Sequence, residues 1–493
     1  SATPANAFRI GVDGLTAPLP QASQTLPQPL YPGVNGVAAG AGEALDPNFR
    51  PNVVDSFTFT FQRQLTNKIS LEAGYIGRII SNEYLPINLN AVPYMMTKGG
   101  QTFAKAYANT VIGYCGAGSV NNLGGGNCLG TPGKVAPQPF FETALAGTGY
   151  CNGYANCTQA VIANEGLNGT GNLAIANAWS LFSDLDNGGF NFPRVMMNTP
   201  IPNDPNGAVG QLTSGVGMNA SVGHGNYNAM FVSVKTSDWN GVSLQSNFTW
   251  SKALGTGAEV QATSEATAPN PFDINAGYGL QPFDRTLVFN MFAVYQPKWY
   301  QSQSGFVGHL LGGWNIAPIF TTGTGLPITL GTINGGGQAF GEGDSLNFFG
   351  YGVSENAIPI APLPSGSRHN NVPGSNGIGT AGYGVNLFAN PVATWNDVRQ
   401  PILGYDTKDG GFGVARGLNY WNVDLSVQKT FKITERFSTQ FQAVFTNLFN
   451  HDQFGDPSGD YLDTSNGAGW GTLPGTVTSI SPRQMEFGAR LNF

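Results

Sequence analysis

Nine stretches of this chain alternate apolar and polar side chains over about nine to eleven residues each, and that pattern limits the fold more than any other feature. In a strand successive side chains point to opposite faces. In the last stretch Met485, Phe487, Ala489, Leu491 and Phe493 share one face, while Glu486, Gly488, Arg490 and Asn492 share the other. The same reading gives faces at Phe57/Phe59/Phe61, Ile69/Leu71/Ala73/Tyr75, Met230/Val232/Val234 and Val242/Leu244/Phe248/Trp250. It continues at Leu287/Phe289/Met291/Ala293/Tyr295, Trp314/Ile316/Phe320, Trp421/Val423/Leu425/Val427 and Phe437/Phe441/Ala443/Phe445, with Thr439 interrupting the last.

Soluble strands average about five or six residues, whereas a tilted strand that crosses a bilayer needs about nine to eleven. Tyr75, Trp239, Trp250, Tyr295, Trp299, Trp314, Tyr420 and Trp421 gather near the strand ends, as interfacial girdles do. Only 10% of the residues are charged, against about 25% in ordinary soluble domains. No run of about 18 apolar residues occurs, so no transmembrane helix is readable. These observations weigh against a soluble β-sandwich. They predict an all-β fold, a transmembrane antiparallel β-barrel with outer-membrane lipid as its surroundings. A net charge of -7 without a Lys/Arg cluster argues against nucleic acid, and no nucleic-acid partner is expected.

The links alternate in length. Short ones fall at Thr66–Lys68, Ser237–Gly241 and Lys432–Glu435, with a medium one near Gln296–Leu310. Long ones cover about residues 81–225, 251–284, 323–418 and 450–482. Barrels of this kind have short periplasmic turns and long extracellular loops. The expected organisation is therefore an extracellular leader at 1–52 and a barrel portion at 53–493, with the C-terminus periplasmic. Nine strands is an odd number, and such barrels normally have an even one. The expectation is that this is the C-terminal portion of a longer barrel, with further strands hidden near Phe340–Gly352 or Ala208–Val222 as the alternative.

The four cysteines, Cys115, Cys128, Cys151 and Cys157, lie in a Gly/Asn-rich stretch and suggest two disulfides in an oxidising compartment. Three pairings are open, the local one being Cys115–Cys128 with Cys151–Cys157. Zinc is the alternative, but no CxxC pair or nearby His supports it. No catalytic constellation, cofactor site or metal site emerges. His224, His309, His369 and His451 are far apart in sequence, and no Walker lysine follows Gly323-Thr324-Gly325 or Gly124-Gly125-Gly126. Asp184-Leu185-Asp186-Asn187-Gly188 partly matches a calcium loop but lacks the bidentate Glu six residues after the Gly. Asp456, Asp460 and Asp463 form a second acidic loop. The expected lumen-facing residues are Glu72, Gln245, Asn247, Asp424, Gln428, Gln440, Gln442, Glu486 and Arg490. Wetting of the interior or contact with a plug accounts for them better than a substrate site does.

Several short motifs resemble a known family. They are Asp46-Pro47-Asn48-Phe49 with Ser56–Leu65, Ala73-Gly74-Tyr75-Ile76-Gly77, Asn226-Tyr227-Asn228-Ala229, Phe248-Thr249-Trp250-Ser251-Lys252, Phe283-Asp284-Arg285, Leu311-Gly312-Gly313-Trp314, Gly323–Pro327, Phe445–His451 and Pro482–Phe493. From about residue 46 onward the chain looks like the C-terminal half of TonB-dependent receptors of the Oar-like type common in Acidobacteria. The resemblance implies a barrel of about 22 strands, an upstream plug and upstream strands in the same or a separate chain, and coupling to TonB through that plug. It also implies that barrel-assembly machinery recognises the terminal Phe493. The implied function is import of a scarce nutrient such as a siderophore, glycan or peptide. Two alternatives stand beside it: a structural or interaction protein whose loops build a surface layer or hold partners, and a small unplugged pore.

Overall fold

The computed structural model describes residues 42–88, 94–126, 134–166, 171–173, 178–187, 216–256, 272–328, 357–364, 366–375, 382–408, 413, 415–434, 436–457, 470–473 and 482–493. Nine long strands carry the fold: β1 (Val53–Thr66), β2 (Ile69–Asn88), β3 (Val216–Trp239), β4 (Val242–Gly255), β5 (Leu287–Tyr295), β6 (Trp314–Gly323), β7 (Tyr420–Lys432), β8 (Ser438–Thr446) and β9 (Gln484–Asn492). Each pairs antiparallel with its neighbours in sequence, giving an up-and-down meander. Two short strands join this sheet: Gly42–Leu45 pairs parallel with β3, and Gly279–Leu280 pairs with β4. Among the described residues β1 and β9 are edges, so the sheet is open.

The register turns nine separate alternations into two continuous surfaces. One row runs Phe59–Tyr75–Met230–Trp250–Leu287 across five strands. The next runs Phe61–Ala73–Val232–Phe248–Phe289. Further along, Val427 lies between Ile316 and Ala443, and Ala443 faces Phe487. On the opposite face a polar row runs Gln62–Glu72–Ser233–Asn247–Asn290–Thr321–Asn422. A one-residue slip would mix the two faces, so the pattern itself fixes the register. Phe59, Met230, Trp250, Phe487 and Leu491 remain exposed on the apolar face. The buried core lies elsewhere, in the long links.

Tight turns close one end. Asn240 and Gly241 both have positive φ (51° and 88°), as a two-residue type I′ hairpin requires. A Cβ on Gly241 would come within 2.2 Å of the Gln296 carbonyl oxygen. Within β2, the glycines of Ala73-Gly74-Tyr75-Ile76-Gly77 make room for rings: a Cβ on Gly77 would meet Phe57, and one on Gly74 would meet Phe231. Aromatic side chains lying over strand glycines in this way help to pin register.

The other end departs from expectation. β2 has 20 residues and β3 has 24, well beyond nine to eleven. The apolar alternation stops near Tyr75 and Met230, but backbone pairing continues upward to Asn88 and Gly217 with Asn226, Asn228 and His224 on the same face. Hydrophobic periodicity reports what a face touches, not how far the ladder extends. The expected hidden strand at Ala208–Val222 is the start of β3 from Val216 onward, while Phe340–Gly352 lies outside the described residues.

The expected loop at 81–225 is in part a helical lobe. It contains α1 (Phe103–Tyr114), α2 (Pro139–Ala144), α3 (Cys157–Glu165) and α4 (Ala178–Asn187). The fold is thus mostly β with helices between strands. Thr102 caps α1 by accepting from Lys105 N, and Asn156 caps α3 by accepting from Gln159 N. Phe103, Tyr107, Phe140, Phe141, Phe182 and Leu185 bury in one cluster that also takes Ile402 and Leu403 from the link before β7. The Phe103 ring meets Phe140 and Phe182 edge-on at 5.5 and 5.1 Å. A second cluster gathers Leu387, Phe388, Trp395, Trp470 and Leu473. Two further helices are α5 (Gly305–Leu311), between β5 and β6, and α6 (Pro391–Asn396).

Candidate functional site

Three surfaces can meet a partner: the apolar face, the polar face, and the links gathered at the end opposite the tight turns. The polar face collects the residues read from the sequence as lumen-facing. Gln428 accepts from Gln440 Nε2 and from Asn315 Nδ2, both at 3.3 Å. Ser233 donates to Asn247 Oδ1 at 2.7 Å. Asp424 Oδ1 accepts from Asn422 Nδ2 at 2.9 Å and from the Asn447 backbone at 2.8 Å, so it ties the end of β8 back onto β7. Glu72, Gln245, Gln442, Glu486 and Arg490 hold in-register positions on this face. An apolar island that the alternation does not reveal lies here: Phe292, Val294 and Ile319 are exposed on the polar side, with Phe292 and Ile319 paired across β5 and β6. The signal was present as consecutive apolar residues in Leu287–Tyr295, where both faces of the strand are apolar.

At the base of the long links, Phe283-Asp284-Arg285 forms a knot. Asp284 has a side chain 1% exposed and meets Arg416 Nη2 at 2.6 Å. It also accepts from the Ala253 backbone at 2.7 Å. Arg285 donates to the Thr324 carbonyl at 2.6 Å and stacks its guanidinium over Tyr420 at 4.7 Å. A Cβ on Gly325 would overlap the Gly417 carbonyl, and one on Gly417 would overlap Asp456. The glycines of Gly323-Thr324-Gly325 therefore serve close backbone approach and not a phosphate cradle. Burial pushes the Asp456 carboxyl above its ordinary range, partly opposed by Arg285 and by a backbone hydrogen bond from Leu418.

Above the knot the two buried clusters meet. Trp395 Nε1 donates to the Gly125 carbonyl at 3.1 Å, and Gly404 comes so close to Ala104 that a Cβ would strike its carbonyl. Arg399 grips Asp406 through two hydrogen bonds of 2.7 Å, with side chains 5% and 11% exposed. Paired this way, the charges tolerate burial. The described parts of the links thus pack against one another.

Cys151 and Cys157 form a disulfide, and Cys115 is also disulfide-bonded. Its expected partner, Cys128, lies outside the described residues. The stretch Asp184-Leu185-Asp186-Asn187, a partial match to a calcium loop, is not a loop: these residues end α4. Asp184 Oδ2 instead accepts from Asn172 at 2.7 Å. Gly188, Asp460 and Asp463 lie outside the described residues, as does residues 1–41 of the expected leader. The four histidines stay apart. His224 stacks on Tyr278, His309 lies in α5, His369 pairs with Ser367, and His451 stacks on Trp421 at 4.2 Å. Among the described residues no group of three or more His, Cys, Asp or Glu is placed to hold a metal ion.

A family model described as "Outer membrane beta barrel domain" matches residues 1–486. Among solved structures the chain is similar to the outer membrane transporter YddB from Escherichia coli, at 7% identity and TM-score 0.35, covering 92% of this chain and 35% of that one. It is also similar to P. aeruginosa FpvA bound to heterologous pyoverdines, at 7% identity and TM-score 0.30, covering 90% and 28%. A third is the siderophore receptor PirA from Acinetobacter baumannii, at 9% identity and TM-score 0.27, covering 91% and 33%. The chain spans about a third of the length of these proteins. No curated protein matches it.

Proposed function

We propose, on the premise that this chain belongs to the outer membrane beta barrel domain family, that it is the barrel portion of a TonB-dependent receptor of the Oar-like type. In this reading the apolar face meets hydrocarbon, and the tight turns are periplasmic. The capped links are extracellular. β1 and β9 are completed by further strands of a larger barrel, because unpaired backbone cannot face lipid.

The observation that carries the reading is the apolar island on the polar face. Phe292, Val294 and Ile319 would stand in water inside an open pore. A plug covers them, and a plugged barrel needs energy to pass cargo. The cap of aromatic and Asn-rich links then supplies the outer recognition surface for a scarce nutrient such as a siderophore, glycan or peptide.

The test is uptake by cells that express the complete receptor. Radiolabelled ferric siderophores, oligosaccharides and oligopeptides are supplied in turn, with and without a functional TonB. The reading expects accumulation of one class that vanishes when TonB is removed. Accumulation independent of TonB, or steady ionic conductance by the protein in planar bilayers, would identify an open pore. Absence of uptake for every class, with intact surface assembly, would favour a structural or surface-layer role.

A further inference from the structure

The link Gln296–Gly313 is longer than the others at the tight-turn end and carries α5 (Gly305–Leu311). Its side chains run against expectation for a water-exposed turn. Phe306 is 83% exposed, and Val307, Leu310 and Leu311 are exposed as well. Within the helix the buried residue is Gly308. Trp299 and Tyr300 stand exposed just before it.

The link is nevertheless held firmly, and on one side. Gln303 Nε2 donates to the Thr430 carbonyl at 2.7 Å, and Gln303 Oε1 accepts from the Lys432 backbone at 2.9 Å. One side chain thus satisfies the β7 ladder where β6 has not yet begun. Trp314 and Lys429 are register partners on the apolar face. Trp314 Nε1 donates to the Leu310 carbonyl at 3.0 Å; Lys429 Nζ donates to the same carbonyl at 3.1 Å and to that of Gly312. The ammonium also lies 4.8 Å from the Trp314 ring centroid and 5.0 Å from that of Phe431. The helix C-terminus is therefore fixed over the apolar face, and its carbonyls shield the lysine there from hydrocarbon.

We infer that α5 is a membrane-surface foot that lies in the phospholipid leaflet at the tight-turn end, between headgroups and acyl chains. This rests on the reading that the apolar face meets hydrocarbon. Lipid is the occupant the observations favour, because the exposed face of α5 continues that same surface. Exposed aromatics and the cations Lys298 and Lys432 sit beside it, as interfacial helices arrange them. The foot brackets the barrel wall at β5–β6 and sets its depth.

Nitroxide labels test this in the full chain in isolated outer membranes. They are placed at Phe306→Cys and Leu310→Cys, whose side chains are exposed and whose replacement disturbs no core. Phe248→Cys reports the barrel face, and Asn67→Cys reports water. Collisions with dissolved oxygen and with a water-soluble nickel chelate are measured at each site. The expected oxygen-to-nickel ratio at 306 and 310 lies well above that at 67 and below that at 248, as for side chains at the headgroup–acyl boundary. A ratio matching 67, with 248 still in lipid, overturns the foot alone. Protection from both reagents overturns it in favour of a protein partner. Aqueous values at all four sites overturn the membrane reading beneath it.

Discussion

Met291→Arg should destabilise the protein far more than Asn290→Arg, although the two positions are adjacent. Met291 lies in the row Leu71–Val234–Ser246–Met291–Phe320–Val423, four positions from Tyr295 and four from Leu287. At about 3.4 Å per residue, roughly 14 Å of strand separates it from each end. That places it near the midplane, where a lipid-facing Arg costs about 2–4 kcal/mol. At about 1.4 kcal/mol per tenfold, the folded-to-unfolded ratio falls roughly 30- to 700-fold. Asn290 belongs to the polar row beside Asn247 and Thr321. An Arg there meets water and the row that contains Glu72, so the change should stay within about 0.5 kcal/mol. Denaturant unfolding of both variants in phospholipid vesicles gives the comparison. Equal losses, or a larger loss at Asn290, would refute the assignment of faces.

Four further outcomes follow from the geometry. At the edge strand, Phe487→Arg or Leu491→Arg should impair membrane assembly, whereas Glu486→Ala or Asn492→Ala should be far milder, read as the yield of protein in the outer membrane. Asp284→Asn leaves Arg416 without its 2.6 Å partner. It should cost about 2 kcal/mol and increase proteolysis of the links after β4 and β6, because a charged hydrogen-bond partner is lost from a buried site. Cys151→Ser opens a loop with a sequence separation of 6; loop entropy puts the loss at about 2 kcal/mol, confined to the helical lobe and readable by hydrogen exchange. Burial, first, and the nearby Asp184 hold the Glu165 carboxyl above its ordinary value of 4.5, against the Asn172 hydrogen bond that pulls it down. A raised folded pKa means this contribution is full below 4.5 and is lost as pH rises through the folded value. Glu165→Gln should flatten the lobe's stability across that window, measured by thermal melts.

The barrel wall was legible because a bilayer imposes period two on every crossing strand. All nine strands stand where the alternation put them, and their partners follow chain order. The extensions of β2 and β3 beyond Tyr75 and Met230 were not legible, since the side chains there no longer divide lipid from water. The helical lobe was hidden for a different reason. Its elements are short, and a Gly/Asn-rich composition obscures them. Yet Phe103, Tyr107 and Val111 recur every four residues behind the capping Thr102, a helical signature that was available. Of the polar face, Glu72 and Asn247 were legible in the alternation, whereas Ser233, Asn290, Thr321 and the apolar island at Phe292 and Ile319 were not. Nor was the Asp284–Arg416 knot, because the partners are 132 residues apart and meet only once β4 to β7 are in register. The motif Phe283-Asp284-Arg285 marked the place without revealing the contact.

Alternate side chains of the wall strands face two different media, and β4 offers the cleanest run. Single cysteines from Val242 to Trp250, each carrying a nitroxide in the membrane-embedded protein, should report oxygen access at 242, 244, 248 and 250. Oxygen access should be low at 243, 245, 247 and 249, with access by the polar nickel reagent at 247 and 249, away from the covered island beside 243 and 245. Nickel access at all nine positions, or an oxygen profile without a two-residue period, would contradict the account.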